Sequence, residues 1–426
     1  MILDKYKEQP NEAVKKKISK KKLEEKIILS NKYEIAGINH FSISSMNQFR
    51  ANSMAWALRY FLGFRSLYPK PSMVRGIAIE KATENARLNV REGFDPEHPS
   101  FLEENSEKIF QARIVDQTLS MFGDDLPLDR DYCVVDFAEK DAETFISEYP
   151  VLLQNLFEMI SPPEWLKEEQ IPKLASKVIK ELSIVKECAP HAIEYILSLE
   201  GEIRSQVKIE KSELFGLPVG FLAYADWIKK DSFGVDMKTV SYYSKIPKTW
   251  EEVPTSYKCQ VAAYSEFSGG LDWKLVFVAP VSKKLINDIQ KEKILFDLYK
   301  EIGNEPKAIM QAYKTRSIDG KGTTVNYVNE KIKEFESPSF ELKQIPAPLK
   351  VIDIPKEEVQ KYQRFNKATA YAINNIISSC DPKSFGDDLL TLCIADPDNM
   401  MLDPHERFKI KEVWGIESSK EEVDTE

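Results

Sequence analysis

The residues from Gly220 to Ile228 read Gly-Phe-Leu-Ala-Tyr-Ala-Asp-Trp-Ile, a short apolar run rich in aromatics and closed by the turn-forming Lys229-Lys230-Asp231-Ser232. Such a run predicts a β-strand. A second apolar segment, Phe233 to Val240, follows at once, so the two are expected to form a hairpin. After a polar loop the chain takes up a helical period that puts Gln260 and Tyr264, four residues apart, on one face. Trp273 to Pro280 predicts a buried strand that extends the sheet. Ser282 to Ile302 predicts a helix with Leu285, Ile289, Ile294, Leu295 and Leu298 as its apolar positions. Ile345-Pro346-Ala347-Pro348 breaks the pattern, and Lys356 to Cys380 is helical again. Upstream, Ser100 to Glu200 shows a helical period. There Pro150 suits the first position of a helix that runs to Ile160 and is ended by Pro162-Pro163. These elements together predict an α/β fold: a central mixed β-sheet of about four or five strands flanked by helices, with a large helical insertion and a helical C-terminal region.

The chemistry-bearing positions fall inside the hairpin. Alternate side chains of a strand share a face, so Asp236 and Lys238 point the same way and Met237 the other, with Asp226 on the neighbouring strand within reach of the same spot. Two converging carboxylates make a hard oxygen site, which suits Mg²⁺ or Mn²⁺ far better than zinc. A bound divalent ion polarises a phosphate and offsets charge on its leaving oxygen, while Lys238 would orient or activate the attacking water and stabilise the charge building on phosphorus. An acid-x-lysine triplet alone says little: Glu24-Glu25-Lys26 and Asp381-Pro382-Lys383 satisfy it too, and the bland reading is a strand with an exposed charge pair. Here the triplet has apolar neighbours, a second acid on the preceding strand, and a helix with Gln and Tyr on one face after it.

That order and spacing resembles the core of the PD-(D/E)XK nuclease superfamily, in particular its RecB-like and viral exonuclease branch. In that branch a strand ending in Gly-x-x-Asp precedes Asp-x-Lys-Thr and a helix bearing Gln-x-x-x-Tyr. This chain has Asp226, then Asp236-Met237-Lys238-Thr239, then Gln260 and Tyr264, with Ala223 where the Gly would stand. Phe41 to Arg50 resembles the opening Ser-x-Ser helix, which makes Ser44 a candidate nucleic-acid contact. Arg75-Gly76-Ile77-Ala78-Ile79-Glu80 resembles the Gly-x-x-x-His/Glu motif, with Gly76 expected to permit close backbone approach. The resemblance covers roughly residues 40 to 90 and 200 to 280. It implies a restriction-endonuclease-like core within residues 37–345, in which the helical period outside the resemblance reads as an insertion at about 95–200, while charge and periodicity mark a charged N-terminal arm over 1–36 and a helical C-terminal region over 346–426 ending in an acidic tail. It further implies that Glu80, Asp226, Asp236 and the Met237 carbonyl bind the metal and that Lys238 positions the nucleophile. Gln260 and Tyr264 would hold the scissile strand or water shell, with Arg75 near a phosphate. Glu84, one turn after Glu80, could take the place of that residue. The implied activity is metal-dependent, end-requiring hydrolysis of DNA in recombination, repair or phage DNA processing, with a recombination or replication protein as a possible partner. An endonuclease using the same site, or a non-catalytic DNA-binding module that kept the fold, are the alternatives.

Composition adjusts this picture. Iron-sulfur members of the branch carry a cysteine in the opening helix, but Asn52-Ser53 stands there, and the cysteines at 133, 188, 259, 380 and 393 lack any C-x-x-C spacing. No iron-sulfur cluster is expected. Scattered thiols without a signal peptide suggest an intracellular setting, and no run is long enough to span a membrane. The net charge of −9 argues against a broad basic surface. Charge is uneven, however: Met1 to Lys26 holds nine lysines against five acids, and Gly415 to Glu426 holds five acids against one lysine. The run Lys15 to Lys22 reads either as an arm that follows DNA or as the solvated start of a helix. Lys229, Lys230, Lys245, Lys248 and Lys258 are candidates for drawing in backbone phosphates.

Overall fold

The computed structural model describes residues 32–91, 99–123, 126–230, 232–316, 323–380, 388 and 402–414. The basic run Lys15 to Lys22 and the acidic tail from Gly415 lie outside the described residues. In chain order the principal elements are β1 (His40–Phe41), α1 (Ile43–Ala51), α2 (Pro71–Arg91), α3 (Pro99–Met121), α4 (Arg130–Glu139), α5 (Ala142–Met159) and α6 (Gln170–Ser198), then β2 (Ile203–Lys211), β3 (Gly220–Lys229) and β4 (Phe233–Thr239). They continue with α7 (Thr255–Phe267), β5 (Asp272–Val278), α8 (Lys283–Ile302), α9 (Pro306–Arg316), α10 (Val325–Phe335), β6 (Leu349–Asp353), α11 (Lys356–Ser379) and α12 (Pro404–Trp414).

The fold is mixed α/β, with an open six-stranded mixed sheet flanked by helices. The chain forms two compact units: Met1–Lys238 with Pro247–Val276 and Val351–Glu426, and Thr239–Ile246 with Phe277–Lys350. In the second unit α8, α9 and α10 bury Leu295, Leu298, Ile309, Tyr313, Val328 and Ile332 against one another. Ser282 starts α8 by accepting a hydrogen bond from Leu285 N–H, and Gly303, at φ +84°, ends it.

The first unit is organised around β3. Phe221, Ala223, Ala225 and Trp227 are buried on one face, alternating with Leu222, Tyr224 and Asp226 on the other. One edge of β3 is taken by β2, which runs antiparallel from Lys211 beside Phe221 to Ile203 beside Lys229. The opposite edge is shared. β1 pairs parallel with Gly220 and Phe221, whereas β4 pairs antiparallel with Trp227 to Lys229 through Val235 to Phe233. Between these two pairings β3 and β4 part, and Asp226, Asp236 and Lys238 lie along the fork. Gly234 allows β4 to pass under Trp273, since a Cβ there would meet the indole ring at 2.6 Å.

Two of the helices between residues 99 and 198 pack on the helix that carries Glu80. α2 lies against both α3 and α6, and the small Ala82 and Ala86 admit Ile193 of α6. Pro150 does not open a helix: α5 begins eight residues earlier, at Ala142, with Asp141 accepting a hydrogen bond from Thr144 N–H at 2.9 Å. The buried stripe Phe145, Tyr149, Leu153 and Leu156 runs past the proline. Tertiary burial of that stripe outweighs the hydrogen bond lost at an interior proline.

Candidate active site

The fork between β3 and β4 is held open by side chains. Met237 N–H, which has left the β3 ladder, donates to Asp226 Oδ2 at 2.9 Å. Asp236, wholly buried, accepts from Gln260 Nε2 at 3.1 Å through Oδ1, and its Oδ2 lies 2.7 Å from Lys238 Nζ. Gln260 has a second amide proton, which it gives to the Tyr264 hydroxyl at 2.8 Å, and that hydroxyl donates in turn to the Tyr224 carbonyl at 3.2 Å. The Gln-Tyr pair of α7 therefore ties the buried aspartate to a β3 carbonyl within the stretch that neither β1 nor β4 covers. The Lys238 ammonium also lies 5.1 Å from the centre of the Tyr257 ring, on the first turn of α7.

Glu80 comes to this cluster from α2 and accepts a hydrogen bond from the Gln206 amide of β2. Burial raises its carboxyl above the ordinary range and Asp236 adds to the rise, against the Gln206 hydrogen bond and the Lys238 charge. Asp226 keeps some exposed surface as a residue, but its carboxyl is desolvated. Burial first and Asp236 second push it well above the ordinary value, against Lys238. Asp236 is raised by burial, which Lys238 opposes. Burial works to lower Lys238, but Asp236 and Asp226 outweigh it and hold the amine above the usual lysine range, so it is an ammonium. Burial, then the two aspartates, likewise keep the Tyr264 phenol protonated.

Three carboxyl groups therefore share one ammonium in a poorly solvated pocket, so the cluster favours added positive charge, either a proton or a bound cation. Every side-chain ligand on offer is a carboxylate, with no thiolate or imidazole among them, which fits a hard divalent ion. Among the described residues no three His, Cys, Asp or Glu side chains are already drawn together as a metal cage. Instead each carboxylate is turned to a protein donor: Met237 N–H for Asp226, Gln260 and Lys238 for Asp236, and Gln206 for Glu80.

Ser44 is exposed near the start of α1, where Ser42 caps the helix by accepting from Ser45 N–H. It lines a cavity of about 420 Å³ together with His40, Asn47, Tyr224, Gln260 and Tyr264. Arg75 overturns its expected role. It is buried and ion-paired with Glu181 of α6, which also accepts from Ser72 Oγ at 3.0 Å, so it ties helices together and is closed to a phosphate. Lys258 is buried as well, between the rings of Trp250 and Tyr362, with its ammonium donating to the Glu251 carbonyl. Lys248 is exposed, and its backbone N–H donates to Glu252. Lys245, in the second unit, is exposed with its ammonium over the Tyr242 ring. Glu84 is engaged by Lys81 and Ser205. Gly76 has open space where a Cβ would stand, so no protein atom requires glycine there.

Gln206 was not anticipated. The alternation of Val207 and Ile209 with Lys208 and Glu210 is a strand signal, but nothing local reveals that the preceding glutamine reaches Glu80. No family model, curated protein or solved structure matches this chain, which leaves the chemistry of these side chains as the ground for its function.

Proposed function

We propose that the chain is a Mg²⁺- or Mn²⁺-dependent DNA exonuclease of the PD-(D/E)XK type, acting in recombination, repair or phage DNA processing. The observation that carries this reading is the meeting of Asp226, Asp236, Glu80 and a charged Lys238 at the fork of the sheet, with Gln260 and Tyr264 braced behind them.

Glu80, Asp226 and Asp236 would hold the ion, assisted by the Met237 carbonyl. When bound, the ion polarises the phosphate and offsets charge on the leaving oxygen. Lys238 enters the reaction as an ammonium, so it orients the attacking water by hydrogen bonding and neutralises charge that develops on the phosphoryl oxygens. Gln260 fixes the Asp236 carboxylate through one amide proton and Tyr264 through the other, so the two strands keep their separation while a scissile phosphate approaches. The preference for DNA ends rests on the resemblance to recombination exonucleases.

The test is digestion of end-labelled linear duplex beside covalently closed circular DNA, with Mg²⁺ or Mn²⁺ and with chelator, for wild type and Lys238→Ala. Metal-dependent loss of the linear DNA alone, abolished in the variant, is the expected result. Cutting of the circle would make the enzyme an endonuclease using the same residues. No cutting of either substrate with either metal would favour a DNA-binding module.

A further inference from the structure

Strand β2 contains a residue in a conformation that strands avoid. Gln206 has φ +48°, in the left-handed region that non-glycine residues rarely adopt. The register with β3 is the same on both sides of it: Ser205 faces Trp227 and Val207 faces Ala225. No residue is inserted, so the break falls on the rung that would join Gln206 to Asp226.

The consequence is directional. In a regular strand neighbouring side chains point to opposite faces. Here two consecutive ones reach the same helix: Ser205 Oγ donates to Glu84 Oε1 at 2.8 Å, and the Gln206 amide donates to Glu80 Oε1. Glu80 and Glu84 stand one turn apart on α2, so β2 holds that helix at two points along one face. Glu80 is the only carboxylate of the cluster that does not come from the β3 and β4 hairpin, and its placement depends on whatever joins α2 to the sheet. An amide suits the task. It binds one carboxylate oxygen without adding charge, and it leaves the other oxygen to a cation.

We propose that Gln206 is a positioning residue for the ion: its left-handed backbone at the broken rung opposite Asp226 delivers the amide to Glu80 and sets that carboxylate to share a cation with Asp226 and Asp236. This rests on reading the cluster as a metal site. Local backbone strain of this kind persists where surrounding structure imposes it, and it gathers at functional sites. Residues that orient metal ligands are sensitive to substitution in the same way as the ligands themselves.

The experiment is calorimetric titration of the full chain with Mn²⁺, alongside thermal melts with chelator and the Mn²⁺ dependence of DNA cleavage. The proteins are wild type, Asp236→Ala, Gln206→Ala and Gln206→Gly. Wild type takes up Mn²⁺ and Asp236→Ala does not, which assigns the uptake to this cluster. Gln206→Ala is expected to bind about tenfold or more weakly and to need correspondingly more Mn²⁺ for half-maximal cleavage, with its metal-free melting temperature little changed. Gln206→Gly accepts the positive φ without strain but lacks the amide, so it is expected to match the alanine variant in metal affinity while folding at least as well as wild type. Wild-type affinity in both variants would overturn the positioning role and leave the nuclease reading intact. Absence of Mn²⁺ uptake in wild type would overturn both.

Discussion

Asp226 carries the clearest electrostatic signature in the molecule. A carboxyl whose pKa is higher in the folded than in the unfolded chain holds its proton more tightly when folded. Its ionisation therefore costs stability, with no cost below the ordinary carboxylate range and the full cost once pH has risen through the raised value. With chelator present, Asp226→Asn should melt higher than wild type at about pH 8, and the gap should close as pH falls below the ordinary aspartate value of 3.8. Mn²⁺ should restore wild type and do much less for the variant. Coincident melting temperatures across that range would remove the desolvation account. Arg75 makes the opposite case, a charge that burial does not leave alone. Because its guanidinium and Glu181 are buried together, Arg75→Ala should cost about 3–5 kcal/mol by stranding the glutamate. The double change Arg75→Met with Glu181→Leu should recover much of that loss, as read by urea denaturation. A stable Arg75→Ala protein with weakened DNA binding would return the arginine to the phosphate role expected from its motif.

Among elements, the parts legible in the sequence were those whose signals are local. The β3 and β4 hairpin and the α7 helix were readable because strand alternation and helical spacing act over a few residues, and they fix which side chains share a face. The helical stretch between residues 99 and 198 was readable for the same reason. What was not readable depends on partners far along the chain. The motif around Arg75 does not reveal its partner, because Glu181 lies on another helix, although five helical steps already turn Arg75 about 140° away from Glu80. The left-handed backbone of Gln206 has no local signature, and the residue that its amide reaches, Glu80, lies far along the chain on α2. Pro150 reads locally as a helix start because proline favours that position, whereas the buried stripe of α5 runs through it. That helix should gain from losing the proline. Pro150→Ala supplies an N–H to the Ile146 carbonyl and should raise stability by about 1–3 kcal/mol. An unchanged denaturation midpoint would mean that packing of the half-buried ring offsets the missing hydrogen bond.

On the scale of the whole molecule the net charge of −9 opposes a polyanion, and the carboxylate cluster opposes it most where a phosphate must come closest. Among the lysines proposed for phosphate contact, Lys258 is buried between aromatic rings and Lys230 lies 3.8 Å from Glu202, while Lys245 and Lys248 stay exposed, so the basic surface that could attract DNA is smaller than expected. A divalent ion offsets that negative charge locally, and can itself bind a phosphate oxygen, without altering the rest of the surface. DNA affinity should therefore depend on the ion even when no cleavage occurs. Lys238→Ala allows this to be measured, because it removes the water-orienting ammonium and leaves the three carboxylates in place. In a fluorescence anisotropy titration this variant should bind a labelled duplex in Mn²⁺ and bind it far more weakly in chelator. Adding Asp236→Ala should erase the difference. Binding should also weaken as monovalent salt rises, because phosphate contacts release counterions. Equal affinity with and without the ion would place the DNA-binding surface away from the carboxylate cluster and detach the cluster from substrate recognition.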